Sequence, residues 1–283
     1  MGGLPPLPPG PPSRAERLPG ASLFRTMRRF MDRLRNHRFD PVDRTAGRDG
    51  AVAARAPGRV ALYLELGKAK LSGFVVATAL VGSLVASGGR VDPVLLLALL
   101  TGTALASSGS LALNQWMERA RDGRMRRTGG RPLPAGLIPS REALVVSLVS
   151  MALGISLLAV AVNGLTAVLA LVIILVYALL YTPMKPRSPA CTLVGAICGA
   201  IPPMMGWTAV TGRIEGGAWI LGAVLFVWQI PHFLALAWMY REDYERGGFR
   251  MLPVVDATGR VTSGLVVLYT LALLPIGVAA TLT

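Results

Sequence analysis

Asn114-Gln-Trp-Met-Glu118-Arg-Ala-Arg-Asp122-Gly-Arg-Met-Arg-Arg-Thr-Gly-Gly-Arg-Pro132 closes one long apolar run, residues 93–114, and precedes another that begins near residue 142. Uncharged runs of that length cross a bilayer. The stretch therefore fixes the fold class and shows where to look for chemistry. Asn114, Glu118 and Asp122 recur every fourth residue. On a helix they share one face, about one turn apart, drifting roughly 40° per step. Arginines at 119, 121, 124, 126, 127 and 131 surround them. Carboxylates beside guanidinium forks at a membrane surface suit a divalent metal with a phosphorylated ligand. They suit equally a solvated loop with local pairs, such as Glu118 with Arg121 or Arg124.

Outward from this stretch the chain reads as an all-α, polytopic membrane helical bundle. Of its 283 residues, 53% are hydrophobic and 16% charged, with mean hydropathy +0.54. A soluble domain carries nearer a quarter charged. Seven spans are expected, roughly at 66–87, 93–114, 142–162, 164–181, 190–210, 217–240 and 263–281. Gly, Ala and Ser are frequent within them, as close helix packing in lipid favours. Pro202-Pro203, Pro231 and Pro275 are expected to kink their helices. Cys191 and Cys198 lie in one apolar run and read as small buried hydrophobes.

The net charge of +14 sits in a tail and in loops, which fits anionic headgroups and phosphorylated substrates. No nucleic-acid motif or aromatic platform accompanies the arginines, so no nucleic-acid partner is expected. With the N-terminus placed in the cytoplasm, the loops after spans two, four and six carry thirteen of the loop lysines and arginines. The opposite loops carry only Arg90 and Arg213. That asymmetry puts the N-terminus and the Asn114–Pro132 stretch on the cytoplasmic side. Residues 1–60 read as a basic, Pro-rich, disordered cytoplasmic tail. Within it, residues 23–39 form a basic amphipathic stretch suited to an anionic lipid surface. Its acidic residues argue against a mitochondrial transit peptide. A bacterial inner membrane is therefore favoured over the mitochondrial one.

Three further stretches carry polar groups. At the end of span six, Glu242 and Asp243 face the same side as Glu118 and Asp122, so the two clusters can hold metal and substrate between them. His232 lies in the membrane about three turns before Asp243. An intramembrane ionisable residue marks a functional site, or serves as a helix-packing imidazole. Tyr181-Thr-Pro-Met-Lys185 and Lys68-Ala-Lys70 place lysines at the same face, as topology anchors or as part of a phosphate funnel.

Asn114-x-x-x-Glu118-x-x-x-Asp122-x-x-Met125-x-Arg127-Thr128-x-x-Arg131-Pro132-Leu133 resembles the first motif of the UbiA superfamily of intramembrane prenyltransferases. More narrowly, it resembles that superfamily's protohaem IX farnesyltransferase branch. Tyr181-Thr182 with Lys185 agrees with that branch. So do Gly199-Ala200-x-Pro202-Pro203 through Trp207, and Pro231-His232-Phe233 through Asp243-Tyr244 to Met251-Leu252-Pro253. The likeness runs from about residue 63 to 275 and implies an all-helical ring around a cavity open to lipid. It implies farnesyl transfer from farnesyl diphosphate to a vinyl group of haem b, giving haem o, with haem b as substrate rather than cofactor.

By the same resemblance, Asn114, Glu118, Asp122 and Asp243, with Glu242, bind Mg2+. Arg127, Arg131, Lys185 and Lys68 meet the diphosphate, Tyr181 meets substrate, and His232 contacts haem. Haem a synthase and terminal oxidase assembly machinery are the implied protein partners.

The chain departs from the family pattern in places. Glu118 stands where many members have Asp, Lys68-Ala-Lys70 where Lys-Pro-Arg is common, and Arg250 where Pro is frequent. The family usually has nine spans, so residues 61–283 are expected to form the prenyltransferase domain without the last two helices. Two other functions fit the sequence: a prenyltransferase acting on an aromatic or quinone precursor, and a truncated, non-catalytic haem-handling assembly protein.

Overall fold

A computed structural model describes residues 58–281; the tail predicted for 1–60, with its amphipathic stretch and His37, falls almost wholly outside them. The described residues form helices α1 (Arg59–Leu66), α2 (Ala69–Ala86), α3 (Pro93–Asp122), α4 (Ser140–Ala161) and α5 (Gly164–Leu175). They continue with α6 (Cys191–Thr211), α7 (Gly216–Met239), α8 (Arg241–Arg246), α9 (Leu252–Val255) and α10 (Arg260–Thr281). After α5 the chain runs on through a π-helical segment, Val176–Tyr181, and a last turn, Thr182–Met184. Among the described residues, seven helices are long and apolar enough to cross a membrane, as the hydropathy predicts. The protein is an integral, multi-pass membrane protein.

Local chemistry sets the helix ends. Asp92 caps α3, accepting from the Val94 amide at 2.9 Å, and Pro93 stands in the first turn, where no amide is missed. Asn163 caps α5 through the Thr166 amide at 2.8 Å and donates to the Thr208 carbonyl of α6 at 2.8 Å. Gly212 ends α6 in the left-handed region at φ 69°. The main difference from expectation is the length of α3. Its helix does not stop with the apolar run but continues through the charged residues to Asp122. The loop at 123–139 folds back over that end and buries it. α6, α7 and α10 run on through their prolines.

Helix α6 is the most buried of the spans and packs against α2, α5 and α7. Its contact with α2 depends on glycine. A Cβ at Gly206 would lie 1.9 Å from the Ala79 carbonyl oxygen, and one at Gly82 would lie 2.0 Å from that of Pro203. Without large side chains between them, the two backbones come into direct contact, the usual source of helix association in lipid. α3 packs on α4, and α10 packs on α7, burying only Thr262 of its own residues. Apolar side chains such as Leu97, Val160 and Leu268 face outward, as a lipid solvent requires.

Candidate active site

Because α3 is continuous, Asn114, Glu118 and Asp122 form a ladder on one helix face. All three are buried, at 1%, 5% and 0% exposure. Each rung meets a cation from a different part of the chain. Lys68, between α1 and α2, donates to Asn114 Oδ1 at 2.9 Å. Lys185, after the last turn of the fourth span, donates to Glu118 Oε2 at 2.9 Å. Its ammonium lies as close to Oε1, which takes no well-directed hydrogen bond. Arg131, in the loop after α3, donates to Asp122 Oδ2 at 2.7 Å. The local pairs with Arg121 or Arg124 that the sequence allowed are replaced by long-range ones.

Backbone geometry serves the ladder. Lys68 is the one non-glycine residue in the left-handed region among the described residues, with φ 48°. Such strain collects at functional sites, and here the break it makes between α1 and α2 accompanies the reach of Lys68 to Asn114. Burial pushes the Lys68 pKa down to about 7. Arg131 and Lys185 add to the fall, and Glu118 and Asp122 oppose it. Burial works most strongly against charge on Lys185, but the charge and hydrogen bond of Glu118, together with Tyr177 and Tyr244, outweigh it and hold that pKa above the ordinary lysine value.

Two residues given no site role from the sequence, Thr182 and Gln115, complete the frame. Thr182 accepts from Asn114 Nδ2 at 3.1 Å and donates to the Tyr177 carbonyl at 2.8 Å. The Thr182 amide also bonds that carbonyl, the wider ring of a π-helix. Gln115 ties down the end of α1, donating to the Glu65 and Leu66 carbonyls at 2.9 and 2.8 Å. A polar residue adjoining Asn114 inside an apolar helix was the available signal.

The second acidic cluster is built differently. Asp243 is buried, and its two oxygens accept from the Arg126 and Arg127 amides at 2.8 and 3.0 Å. In return Arg121 donates to the Gly247 and Gly248 carbonyls at 3.2 and 3.1 Å. The two loops are thus clamped together from both sides. The Arg127 guanidinium lies over Tyr240, 5.0 Å from the ring centre, not on the ladder. The Glu242 side chain is 80% exposed and 3.6 Å from Arg246, and the structure does not bring it to the other carboxylates.

Beneath the ladder lies a cavity of about 480 Å³ between α2, α3, α5 with its π-helical extension, α6 and α7. Tyr181 joins the two. It lines the cavity, stacks on Tyr177 at 5.0 Å, and carries the Lys185 ammonium 4.9 Å over its ring. At the α7 wall stands His232, stacked on Trp228 with ring centres 5.0 Å apart. Both cysteines are free and buried; Cys198 faces the cavity and Cys191 contacts Met251. The volume and the apolar lining suit a small organic ligand.

The residues fit a hard divalent cation. Asp122 Oδ1 is buried without a hydrogen-bond partner, an arrangement that is unfavourable unless something fills it. Amide and carboxylate oxygens along one face are the donor set magnesium takes. Among the described residues no three of His, Cys, Asp and Glu converge, so ligand oxygens and water have to complete the shell.

Comparisons with known proteins bear on the family and the fold. Residues 75–283 match the model of the UbiA prenyltransferase family. Protoheme IX farnesyltransferase of Koribacter versatilis is 44% identical over 231 residues, 80% of this chain and 74% of the relative. That of Anaeromyxobacter dehalogenans is 44% identical over 241 residues, 82% of this chain and 81% of the relative. Among solved structures, a UbiA homologue from Archaeoglobus fulgidus bound to GPP and Mg2+ superposes with a TM-score of 0.57 at 17% identity. That match covers 78% of this chain and 82% of the homologue.

Proposed function

The chain belongs to the UbiA prenyltransferase family, and from that premise we propose that it transfers a farnesyl group from farnesyl diphosphate to a vinyl group of haem b, giving haem o. The observation that carries the proposal is the buried, cation-paired ladder at the head of an apolar cavity. One end binds diphosphate and the other holds a prenyl chain.

Asn114, Glu118 and Asp122 would hold magnesium, with the unpaired Asp122 Oδ1 as the open ligand. When bound, the metal supplies charge that offsets the leaving diphosphate. Lys68, Lys185 and Arg131 are already placed beside those oxygens, and they turn to the phosphate oxygens as negative charge grows there. Asp243 fixes the loop that carries Arg131 and keeps lone pairs for a second ion. Arg127 lines the approach over Tyr240. Glu242, at the exposed rim, guides rather than ligates.

Tyr181 separates the charged end from the cavity. The allylic carbon–oxygen bond breaks with its electron pair going to diphosphate. The vinyl π electrons then form the carbon–carbon bond, and water captures the cation left on the haem side chain with loss of a proton. His232 and Trp228 contact the haem. The relatives' activity is the reason for choosing haem as acceptor. The reaction side is cytoplasmic, in a bacterial inner membrane, and haem a synthase or oxidase assembly factors are the downstream partners.

The test is a mass-spectrometric product assay. Purified enzyme is given haem b, farnesyl diphosphate and magnesium, with and without chelator, beside a parallel arm with a phenolic acceptor. Haem o formed only with magnesium supports the proposal. Prenylated phenol without haem o transfers the enzyme to the aromatic or quinone class. Haem binding without any product points to an assembly role.

A further inference from the structure

The cavity wall formed by α3 is not apolar throughout. Thr103, Ser107 and Ser110 line it, at spacings of four and three, and Asn114 follows four residues on. A single polar stripe thus runs down α3 from the ladder into the membrane interior. Hydroxyls inside membrane helices usually bond a carbonyl one turn back. Ser107 does so, donating to Ala104, and also meets Ser72 Oγ at 2.6 Å. On the facing helix Thr78 bonds the Val75 carbonyl. Thr103 and Ser110 depart from this habit. They are 2% and 5% exposed, and neither hydroxyl has a partner. An unpaired hydroxyl in a low-dielectric wall is costly, and a χ1 turn is enough to present it to the cavity.

We propose that Thr103 and Ser110, with Ser107 between them, hold the water that the cavity reaction consumes. The proposal rests on the farnesyl-transfer reading, in which a cation forms in an otherwise apolar cavity and water must reach it. An apolar cavity does not retain water, whereas one with two or more polar partners does. Along the axis of α3, Ser107 and Ser110 are offset by about 4.5 Å and Thr103 and Ser107 by about 6 Å, spans that one or two bridging waters can close. The water oxygen forms the new carbon–oxygen bond with its lone pair. The proton it loses passes through the same waters to the diphosphate released at the Asn114 end, a base the reaction itself provides. Without this water, the cation instead loses a proton from the neighbouring carbon and gives an alkene. The stripe therefore sets the choice between two products of equal prenylation, one lighter by a water.

The experiment compares wild type with Thr103→Val, Ser110→Ala, the double variant and Thr103→Ser. The readout is the ratio of alkene to alcohol within the prenylated haem pool, which does not depend on how much enzyme folds. The double variant is expected to raise that ratio roughly tenfold, the effect of losing a hydrogen bond or two to the water. Thr103→Ser is expected to keep the wild-type ratio. A double variant whose ratio stays within about twofold of wild type overturns the proposal, since a hydroxyl lost from a site that holds water cannot be silent. Wild-type enzyme that prenylates no haem fails at the earlier step and removes the farnesyl-transfer reading instead.

Discussion

The two acidic clusters at the charged face of the molecule look alike in sequence and are built for different work. At the end of α3, Glu118 and Asp122 are buried, and each is matched by one side-chain cation, Lys185 from 67 positions away and Arg131 from the loop that follows. In α8, just past the end of α7, Glu242 points to solvent and Asp243 grips backbone amides, with the Arg246 guanidinium farther off at 3.7 Å. The difference is one of what surrounds the carboxylate. A carboxylate balanced by a movable side-chain cation can exchange that cation for a metal. One held by two backbone amides is fixed, and it fixes its neighbours.

Substitutions can break or sharpen that contrast, and the largest effect is expected at Asp122. Asp122→Ala removes the open ligand and frees Arg131, and turnover is expected to fall by about a hundredfold to a thousandfold. Turnover near wild type would take Asp122 out of the metal shell. Lys185→Met comes next. It leaves Glu118 buried and unpaired, a loss of about 3–5 kcal/mol, measured by thermal unfolding in detergent. Adding Glu118→Gln should restore much of the stability without restoring turnover. That result separates the role of the pair in holding the fold from its role in the reaction.

Asp243→Asn is expected to be milder, roughly tenfold, and to appear mainly in the KM for farnesyl diphosphate, because the loop loosens and a ligand of the second ion weakens while the α3 ladder keeps its own ligands. A fall to the Asp122→Ala level would show that the two clusters do the same work after all. Glu242→Gln should change turnover by less than about twofold.

The smallest effect concerns a further carboxylate outside both clusters, Asp256. Asp256 accepts from the Thr262 amide at 2.8 Å and from the Gly259 amide and the Thr258 hydroxyl. The Thr262 amide is the main cause of its lowered pKa, while partial burial opposes the fall. With the folded pKa below the ordinary 3.8, its contribution is fully present above 3.8. It disappears as the pH falls through the lower folded value. Asp256→Asn should lower the Tm slightly at neutral pH and make no difference in strong acid.

How far the sequence shows these things depends on range. The seven spans are legible because a bilayer demands length and apolarity, both of which are local properties. The four-residue recurrence of Asn114, Glu118 and Asp122 is legible for the same reason. What is not legible is which cation belongs to which rung. Lys68 lies 46 positions from Asn114 and Lys185 67 positions from Glu118, so only packing pairs them. The extension of α3 to Asp122 is hidden because its burial comes from the loop that follows, not from the residues themselves. The π-helical segment that aligns Tyr177 with Tyr181 is hidden within a uniformly apolar span. Thr103 and Ser110 carry no reading of their own in the sequence, and only their missing hydrogen-bond partners distinguish them from Ser107 on the same cavity wall.

The central claim is that the α3 ladder is a magnesium–diphosphate site, and equilibrium binding tests it more directly than turnover does. Farnesyl diphosphate binding to purified protein in nanodiscs should be measured with magnesium and with chelator, for wild type, Asp122→Asn and Glu242→Gln. Binding should require magnesium in wild type and Glu242→Gln and be lost in Asp122→Asn. Binding that is equally tight with chelator, or that survives in Asp122→Asn, would contradict the claim.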